Sequence, residues 1–164
     1  MKEQRLTHVD ATGRARMVDI SDKAVTRRSA TARARVRCSP DAVQRIAANA
    51  IAKGSVLDTA RLAGIMGAKR TSDLIPLCHP LALRHIDVDL QLDTSDDPGV
   101  RIEATARVEG ATGVEMEALT AVAIAGLTVI DMIKAVDHWA SMTDVTLVHK
   151  EGGRSGSLDR PEPD

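Results

Sequence analysis

One segment of the sequence carries an acid and a base at helical spacing. Asp131 and Lys134 stand at i and i+3 in TVIDMIKAV, residues 128–136, on an otherwise apolar stretch. Side chains at this spacing face the same way on a helix. A solvated surface salt bridge is the ordinary explanation. However, a carboxylate and an ammonium partly removed from water have pKa values suited to proton transfer, so the pair is a candidate for acid–base catalysis.

A second segment places a thiol and an imidazole side by side. DLIPLCHP, residues 73–80, holds Cys78 and His79 between two prolines, outside the periodic stretches of the sequence. Rigid loops often present functional side chains. A buried connector with His79 hydrogen-bonded to the backbone explains the same residues, and the dipeptide alone leaves both interpretations open.

A third segment, TGVEMEALT at residues 112–120, begins a helix with Glu115 and Glu117. Acidic residues stabilise a helix N-terminus through its dipole, which is a sufficient explanation in itself. Glu117 and Asp131 lie on the same predicted helix, about 21 Å apart at a rise of about 1.5 Å per residue. They cannot both contact one small group within one subunit. If both are functional, the substrate is long or the site is shared between subunits.

Cationic residues are scattered at the ends of predicted elements. They are Arg27, Arg28, Lys53, Lys69, Arg70, Lys150 and Arg154. Most surface Lys and Arg are merely solvated, but a cluster of them at the ends of loops would suit an anionic ligand. Neither a Walker loop nor a GxGxxG motif is present, so a phosphate is not held in the common nucleotide-binding ways. The residues alone therefore indicate a small anionic substrate and acid–base chemistry.

The composition narrows the class of protein. The 164 residues are 43% hydrophobic and carry a net charge of −1, with no Phe or Tyr and a single aromatic residue, Trp139. Single-stranded nucleic acid binders need aromatic platforms and a basic groove, so nucleic acid is not an expected partner. No apolar stretch resembles a signal peptide or a membrane span, which predicts a cytoplasmic protein. Cys38 and Cys78 have no disulfide or zinc spacing, and no metal site is expected.

The periodicity predicts seven elements in the order β, α, α, β, β, α, β. Residues 29–37 alternate as a strand, and a helix follows from the Ser39 cap and Pro40 to Gly54, with Lys53 in its last turn. A second helix opens at Ser55, contains small residues for close packing and ends near Thr71. A hairpin follows, with alternating residues 86–92 and 100–108 joined by the turn at 93–99.

A main helix is predicted over residues 115–138 and a last strand over 145–148. This order predicts an α+β, ferredoxin-like sandwich, a mostly antiparallel sheet with helices on one face. Residues 1–150 are predicted to form one domain with an extended N-terminal arm, residues 1–28. The arm shows no sustained periodicity, and its apolar residues Met17, Val18 and Ile20 predict that it packs against another part of the protein. Residues 151–164 form a Gly/Ser/Pro-rich tail that lacks the apolar content to fold alone.

These segments closely resemble the cyclic pyranopterin monophosphate synthase family of molybdenum cofactor biosynthesis. The resemblance rests on the three segments above together with LTHVDATGRARMVDIS at 6–21, DTARLAGIMGAKRTSDLIPLCHP at 58–80 and KEGGRSG at 150–156. It implies a pyrophosphate-releasing lyase that converts 3′,8-cyclo-7,8-dihydroguanosine 5′-triphosphate to cyclic pyranopterin monophosphate. It also implies a ferredoxin-like fold and a hexamer, a trimer of dimers with active sites between subunits.

The resemblance also assigns residue roles. Asp131 matches the family's acid–base residue, with Lys134 as its partner and Lys53 as a second catalytic cation. The substrate-binding positions are Leu77, Cys78, His79, Met116, Glu117, Glu115, Arg28 and Lys150. No cofactor is implied, whether Mg²⁺ accompanies the triphosphate stays open, and the substrate comes from an upstream radical enzyme.

Two other classes of protein are alternatives. A ferredoxin-like regulatory module that binds an anion without catalysis would be indicated by loss of Asp131, Lys134 or Lys53, and all three are present. A structural subunit that scaffolds other proteins would need an apolar patch that the sequence alone cannot show.

Overall fold

The chain folds into one sheet covered by helices. The computed structural model describes residues 13–161. Residues 1–12 of the predicted arm and residues 162–164 of the predicted tail lie outside the described residues. The elements are β1 Thr26–Arg37, α1 Pro40–Ala47, α2 Val56–Ala68, α3 Thr71–Leu74, β2 His85–Asp93, β3 Gly99–Gly110, α4 Glu115–Ile133, β4 Ser141–Glu151 and β5 Leu158–Asp159.

The sheet has the strand order β2-β3-β1-β4-β5, and each neighbouring pair is antiparallel. In β1 the residues Ala30, Ala32, Ala34 and Val36 are buried, as their alternation with polar residues predicts. The central strand therefore has one apolar face, toward the helices, and one charged face. This arrangement confirms the predicted α+β, ferredoxin-like fold, and both strands of the predicted hairpin are present.

The small residues of α2 allow it to approach α4 closely, as the sequence predicts. A Cβ added at Gly64 would lie 2.9 Å from the carbonyl oxygen of Ala121, and one at Gly67 would lie 2.8 Å from Cγ1 of Ile124. No side chain larger than hydrogen fits at these two positions without moving α4. The close packing of α2 holds α4 in place against the sheet.

Helix α4 forms the centre of the core. By length and composition it is apolar enough to cross a membrane, with a hydropathy of 1.8, but half of this stretch is buried inside the fold. Ala121, Ala125 and Val129, spaced four residues apart, are fully buried. The apolar character of this helix is thus used in packing against the sheet and α2.

The structure corrects the predicted end of α1. The helix stops at Ala47, seven residues before the predicted stop at Gly54, because Ala48 caps it and Asn49 takes a left-handed backbone with φ 51°. Asn is one of the few residues that adopts this conformation at low cost. Lys53 therefore lies in a turn after the helix, closed by the hydrogen bond from Gly54 N–H to the Ile51 carbonyl.

Two further helix ends differ from the prediction. Helix α4 stops at Ile133, with Lys134 as its cap, five residues before the predicted end at His138. Asp137 has left the helix and accepts hydrogen bonds from the backbone N–H groups of Ser39 and Trp139. The second helix stops at Ala68, and Thr71–Leu74 form the short α3, which takes in the start of the DLIPLCHP segment.

The last strand is longer than predicted, and the tail joins the sheet. β4 covers Ser141–Glu151, and β5 pairs with it at Lys150 and Leu158 and at His149 and Asp159. His149 Nδ1 lies 2.7 Å from Asp159 Oδ1. Although the tail lacks the apolar content to fold alone, backbone pairing with β4 holds part of it in the sheet.

Candidate functional site

The structure brings the three predicted catalytic residues together at the C-terminal end of α4. Lys53 Nζ lies 2.6 Å from Asp131 Oδ2, and Lys134 Nζ lies 2.8 Å from Asp131 Oδ1. Each carboxylate oxygen therefore accepts from a different ammonium. The three side chains are between 44% and 61% exposed, which leaves them open to solvent or to a neighbouring molecule. We call Asp131, Lys53 and Lys134 the acid–base trio.

The two ammonium groups change the titration of the carboxyl. The hydrogen bond from Lys134, and then that from Lys53, lower the pKa of Asp131 from 3.8 to about 2. Opposite charge and hydrogen bonds to the ionised form both favour the carboxylate. Asp131 is therefore an anion at neutral pH, and each of its carboxylate oxygens already accepts a hydrogen bond from a lysine.

Most of the predicted substrate-binding residues surround a single cavity of about 240 Å³ at the other end of α4. Leu77, Cys78 and His79 form one wall, and Glu115, Met116 and Glu117 from the first turns of α4 form another. The sequence separates these two segments by more than 30 residues, and the fold joins them. We call this space the α4 N-terminal cavity.

Burial controls the charge in this cavity. Glu117 is only 4% exposed, and burial followed by the repulsion of Glu115 raises its pKa. Burial and the nearby Glu117 likewise raise the pKa of the Cys78 thiol. A raised thiol pKa reduces the fraction of nucleophilic thiolate. Cys78 is thus suited to contact a substrate as a neutral group.

The two predicted cationic binding residues lie beside the cavity. Lys150, on β4, forms an ion pair with the half-buried Glu115. Burial acts to raise the pKa of Glu115, but the hydrogen bond from Lys150, a backbone hydrogen bond and the charges of Lys150 and Arg28 together outweigh burial and lower it. Arg28, on β1, donates from Nε to the carbonyl of Gly110 at 3.1 Å and from Nη2 to that of Ala111 at 3.3 Å. Both cations therefore stand next to the loop that leads into α4.

The N-terminal arm supplies residues that the sequence did not assign to the site. Val18, Ile20 and Lys23 line the cavity, and His79 Nε2 lies 2.9 Å from the Val18 carbonyl oxygen. The apolar residues of the arm predict that it packs against another part of the protein. Because the arm has no periodicity, the sequence does not identify that part. Thr112, also in the lining, lies in a predicted segment but had no assigned role.

The acid–base trio and the α4 N-terminal cavity are separate within one chain. They occupy opposite ends of a 19-residue helix, and at about 1.5 Å per residue Glu117 and Asp131 are about 21 Å apart along its axis. The structure thus brings the predicted residues together in two groups, one of three and one of eight, and does not join the groups.

No metal-binding cluster accompanies either group. Within residues 13–161, no three His, Cys, Asp or Glu side chains are placed to hold a metal ion. A larger open depression of about 1210 Å³ lies on the charged face of the sheet, where Arg33 Nε lies 2.7 Å from Glu103 Oε2. None of the predicted site residues lines it.

The fold and the two groups define the class: an α+β enzyme of ferredoxin-like topology with an exposed acid–base trio and a separate small cavity beside cationic side chains. The model of the MoaC family matches residues 17–153 of the chain. This match covers β1 to β4 and every predicted site residue. The chain belongs to the MoaC family.

Curated relatives named cyclic pyranopterin monophosphate synthase match the chain over nearly its whole length. The protein of Dinoroseobacter shibae is 56% identical over 94% of this chain and 97% of its own length. That of a Roseiflexus species is 58% identical over 93% of this chain and 96% of its own length. That of Streptomyces griseus is 54% identical over 99% of this chain and 90% of its own length.

Proposed function

We propose that this chain converts 3′,8-cyclo-7,8-dihydroguanosine 5′-triphosphate to cyclic pyranopterin monophosphate with release of pyrophosphate, in molybdenum cofactor biosynthesis. The observation that carries the proposal is the similarity to synthases of this name, at 54–58% identity over more than nine tenths of the chain. The residue types in both groups fit such a reaction, which needs proton transfer and stabilisation of phosphate charge.

In the proposed reaction, a sugar hydroxyl attacks the α-phosphate and forms a new phosphorus–oxygen bond as the bond to pyrophosphate breaks. The hydroxyl proton passes to a base, and negative charge grows on the departing oxygens. Arg28, Lys150 and Lys23, which lie in or beside the α4 N-terminal cavity, are the cations available to stabilise this charge. Arg can hold phosphate oxygens with two parallel hydrogen bonds, and Lys acts as a point charge.

The acid–base trio is proposed to transfer protons while the purine-derived ring opens and closes again as the pterin. Asp131 is held as a carboxylate by its two lysines and becomes a base when substrate displaces one of them. The two ammonium groups are the acids within reach of the same carboxylate, at 2.6 and 2.8 Å. Positioned groups of this kind accelerate proton transfer by about 10²–10⁴-fold.

We propose that the protein acts as a homo-oligomer, a hexamer built as a trimer of dimers, in which the trio of one subunit faces the cavity of another. The distance of about 21 Å between the two groups supports this arrangement. The cavity of about 240 Å³ is smaller than the roughly 300–1,000 Å³ that hold a whole drug-sized ligand. Leu62 and Met66 on α2 and Leu127 on α4 are more than half exposed, as expected of surface covered by another copy.

The remaining expectations are part of the same proposal. A radical enzyme upstream supplies the substrate, the protein works in the cytoplasm without a cofactor of its own, and any Mg²⁺ enters with the triphosphate. Neither a nucleic acid nor a membrane is a partner. The residues of the two groups supply acids, bases and cations, which are sufficient for proton transfer and phosphate chemistry.

The proposal is tested by incubating the purified protein with the cyclic triphosphate and measuring pyrophosphate and cyclic pyranopterin monophosphate together, with native mass recorded on the same sample. Equal amounts of both products are expected from the wild type. A chain that binds the substrate but forms neither product would instead be the anion-binding regulatory module.

A further inference from the structure

A glycine-rich turn follows β4 and wraps around Arg28. Gly152, Gly153 and Gly156 have positive φ angles of 99°, 71° and 66°. The turn is closed by hydrogen bonds from Gly152 N–H to the Gly156 carbonyl and from Gly156 N–H to the Gly153 carbonyl. All three positions thus have a backbone that favours glycine, but their surroundings differ.

Gly153 lies directly against the end of the Arg28 side chain. A Cβ added at Gly153 would lie 2.3 Å from Arg28 Nη1 and 3.0 Å from its Cζ. On other edges the same guanidinium donates to the carbonyls of Gly110 and Ala111. The Arg28 guanidinium can therefore make room for a Cβ at Gly153 only by breaking its hydrogen bonds to those two carbonyls.

The position of this guanidinium matters for the α4 N-terminal cavity. Gly110 and Ala111 directly precede Thr112 and Gly113, which line the cavity. Arg28 is also close enough for its charge to act on Glu115, another lining residue. A shift of the guanidinium would therefore change the charge that an anionic ligand meets in the cavity.

We propose that Gly153 is a positioning residue: the space left by its missing side chain fixes the Arg28 guanidinium beside the α4 N-terminal cavity, where it binds the anionic part of the substrate. This inference rests on the proposed function for the identity of the substrate. The geometric part of the inference, which concerns the position of Arg28 alone, is independent of the proposed function.

Gly152 differs from Gly153 in what a side chain would meet. A Cβ at Gly152 would lie 2.3 Å from the Arg27 carbonyl oxygen and 3.2 Å from Arg28 Cα. These are backbone atoms of β1, so a substitution there disturbs the sheet itself. At Gly153 the obstacle is the far end of a flexible side chain, and the fold can keep its structure while the guanidinium moves.

Gly156 provides a matched control. Its φ of 66° is within a few degrees of that of Gly153, but nothing lies within 4 Å of a Cβ added there. Gly153→Ala and Gly156→Ala therefore carry the same backbone strain, and only the first displaces Arg28. Similar melting temperatures of the two variants are expected.

Steady-state kinetics separates the two variants. Gly153→Ala is expected to raise KM by roughly 10-fold or more, as for loss of a charged hydrogen bond, and to lower kcat as well, because Arg28 is also proposed to stabilise the charge on the departing pyrophosphate. Gly156→Ala is expected to keep the wild-type KM. In an Arg28→Ala background, Gly153→Ala is expected to have no further effect on KM, because its target is gone.

A second measurement is independent of the reaction. The ¹⁵Nε resonance of Arg28 is expected to shift in Gly153→Ala and to stay in place in Gly156→Ala. If the wild type is inactive but this resonance shifts, the proposed function fails and the positioning by Gly153 stands. If the wild type is active and the two variants share one KM and one Arg28 resonance, the positioning by Gly153 is overturned.

Discussion

The ammonium of Lys53 contacts both the side chain and the backbone of Asp131, with Nζ 2.6 Å from Oδ2 and 2.7 Å from the carbonyl oxygen. Asp131 lies in the last turn of α4, whose carbonyls have no partner within the helix. Lys53 thus caps the helix with a positive charge where the dipole favours one. The same contact holds the carboxylate of the acid–base trio in place.

Substitution of Asp131 is expected to remove activity without unfolding the protein. Asp131→Asn keeps the shape of the side chain but cannot accept a proton, so product formation should fall by about 10²–10⁴-fold. The side chain is 57% exposed, and the melting temperature should change little. The assay is pterin formation under saturating substrate.

The matched control for this variant is Asp41→Asn. Asp41 forms an exposed i,i+4 ion pair with Arg45 at 2.9 Å on α1, away from both groups of site residues. Its activity should equal that of the wild type. Equal losses in Asp41→Asn and Asp131→Asn would show that loss of an ion pair, and not loss of the base, lowers the activity.

The titration of Asp131 tests the electrostatics of the trio. Since the pKa is lowered from 3.8 to about 2, the carboxyl ¹³C resonance of Asp131 should titrate near pH 2. Lys134→Met should raise the pKa more than Lys53→Met, because the Lys134 hydrogen bond is the larger cause. The stability that the two lysine contacts of Asp131 contribute is present above pH 3.8 and is lost as the pH falls toward 2.

A midpoint near 3.8 in the wild type would contradict the two short contacts. If Lys53→Met raises the pKa of Asp131 more than Lys134→Met does, then Lys53, which caps the helix, is the main partner of the carboxylate.

Glu117 is expected to reduce stability at neutral pH. Burial raises its pKa above 4.5, so the folded chain binds a proton that the unfolded chain releases. Stability therefore falls as the pH rises through 4.5 and the folded carboxyl ionises. Glu117→Gln should melt at a higher temperature than the wild type at pH 7. The two melting temperatures should converge well below pH 4.5, where the Glu117 carboxyl is neutral in the folded and the unfolded wild-type chain alike.

Glu109→Gln is the control for Glu117→Gln, since the Glu109 side chain is 53% exposed. Its stability should differ from the wild type by less than about 0.5 kcal/mol at both pH values. A pH-independent gain in Glu117→Gln would mean that packing, rather than charge, explains the effect.

Gly64 is expected to be required for the packing of α2 on α4. Gly64→Ala places a Cβ 2.9 Å from the backbone oxygen of Ala121 and 3.3 Å from Val88 Cγ1. Overpacking of this kind costs about 1–3 kcal/mol. Urea unfolding should show a lower midpoint with an unchanged slope.

Gly110→Ala is the comparison for Gly64→Ala. The atom nearest to its Cβ would be Val108 Cγ2, at an ordinary 3.6 Å, and the φ angle of Gly110 is not positive. A change of less than about 1 kcal/mol is expected. If the two variants lose the same stability, close approach of the helices is not what requires glycine at position 64.

The sequence predicted the sheet and its buried face because burial of one face imposes a period of two. It misplaced the ends of α1 and α4, for two different reasons. Asp137 leaves α4 to bind the backbone of Ser39, 98 residues away, and no local pattern shows this. The early end of α1 depends on Asn49, whose left-handed backbone is only one of several conformations open to it.

The candidate site was predictable in its parts and not in its arrangement. Motifs near Cys78 and Glu117 were recognised separately, and the tertiary fold brings them to one cavity. Lys53 was expected in a helix, whereas a turn lets it reach Asp131. Lys23 was missed because the arm has no periodicity, and only its apolar neighbours indicated docking.

In the proposed oligomer, the acid–base trio of one subunit completes the cavity of another to form the synthase site. Asp131→Asn and His79→Ala are each expected to be inactive. Unfolded and refolded together in equal amounts, they should regain about one quarter of the wild-type rate of pterin formation, because each of two contributing subunits is intact half of the time. A mixture that assembles into mixed oligomers by native mass and stays inactive would contradict the claim.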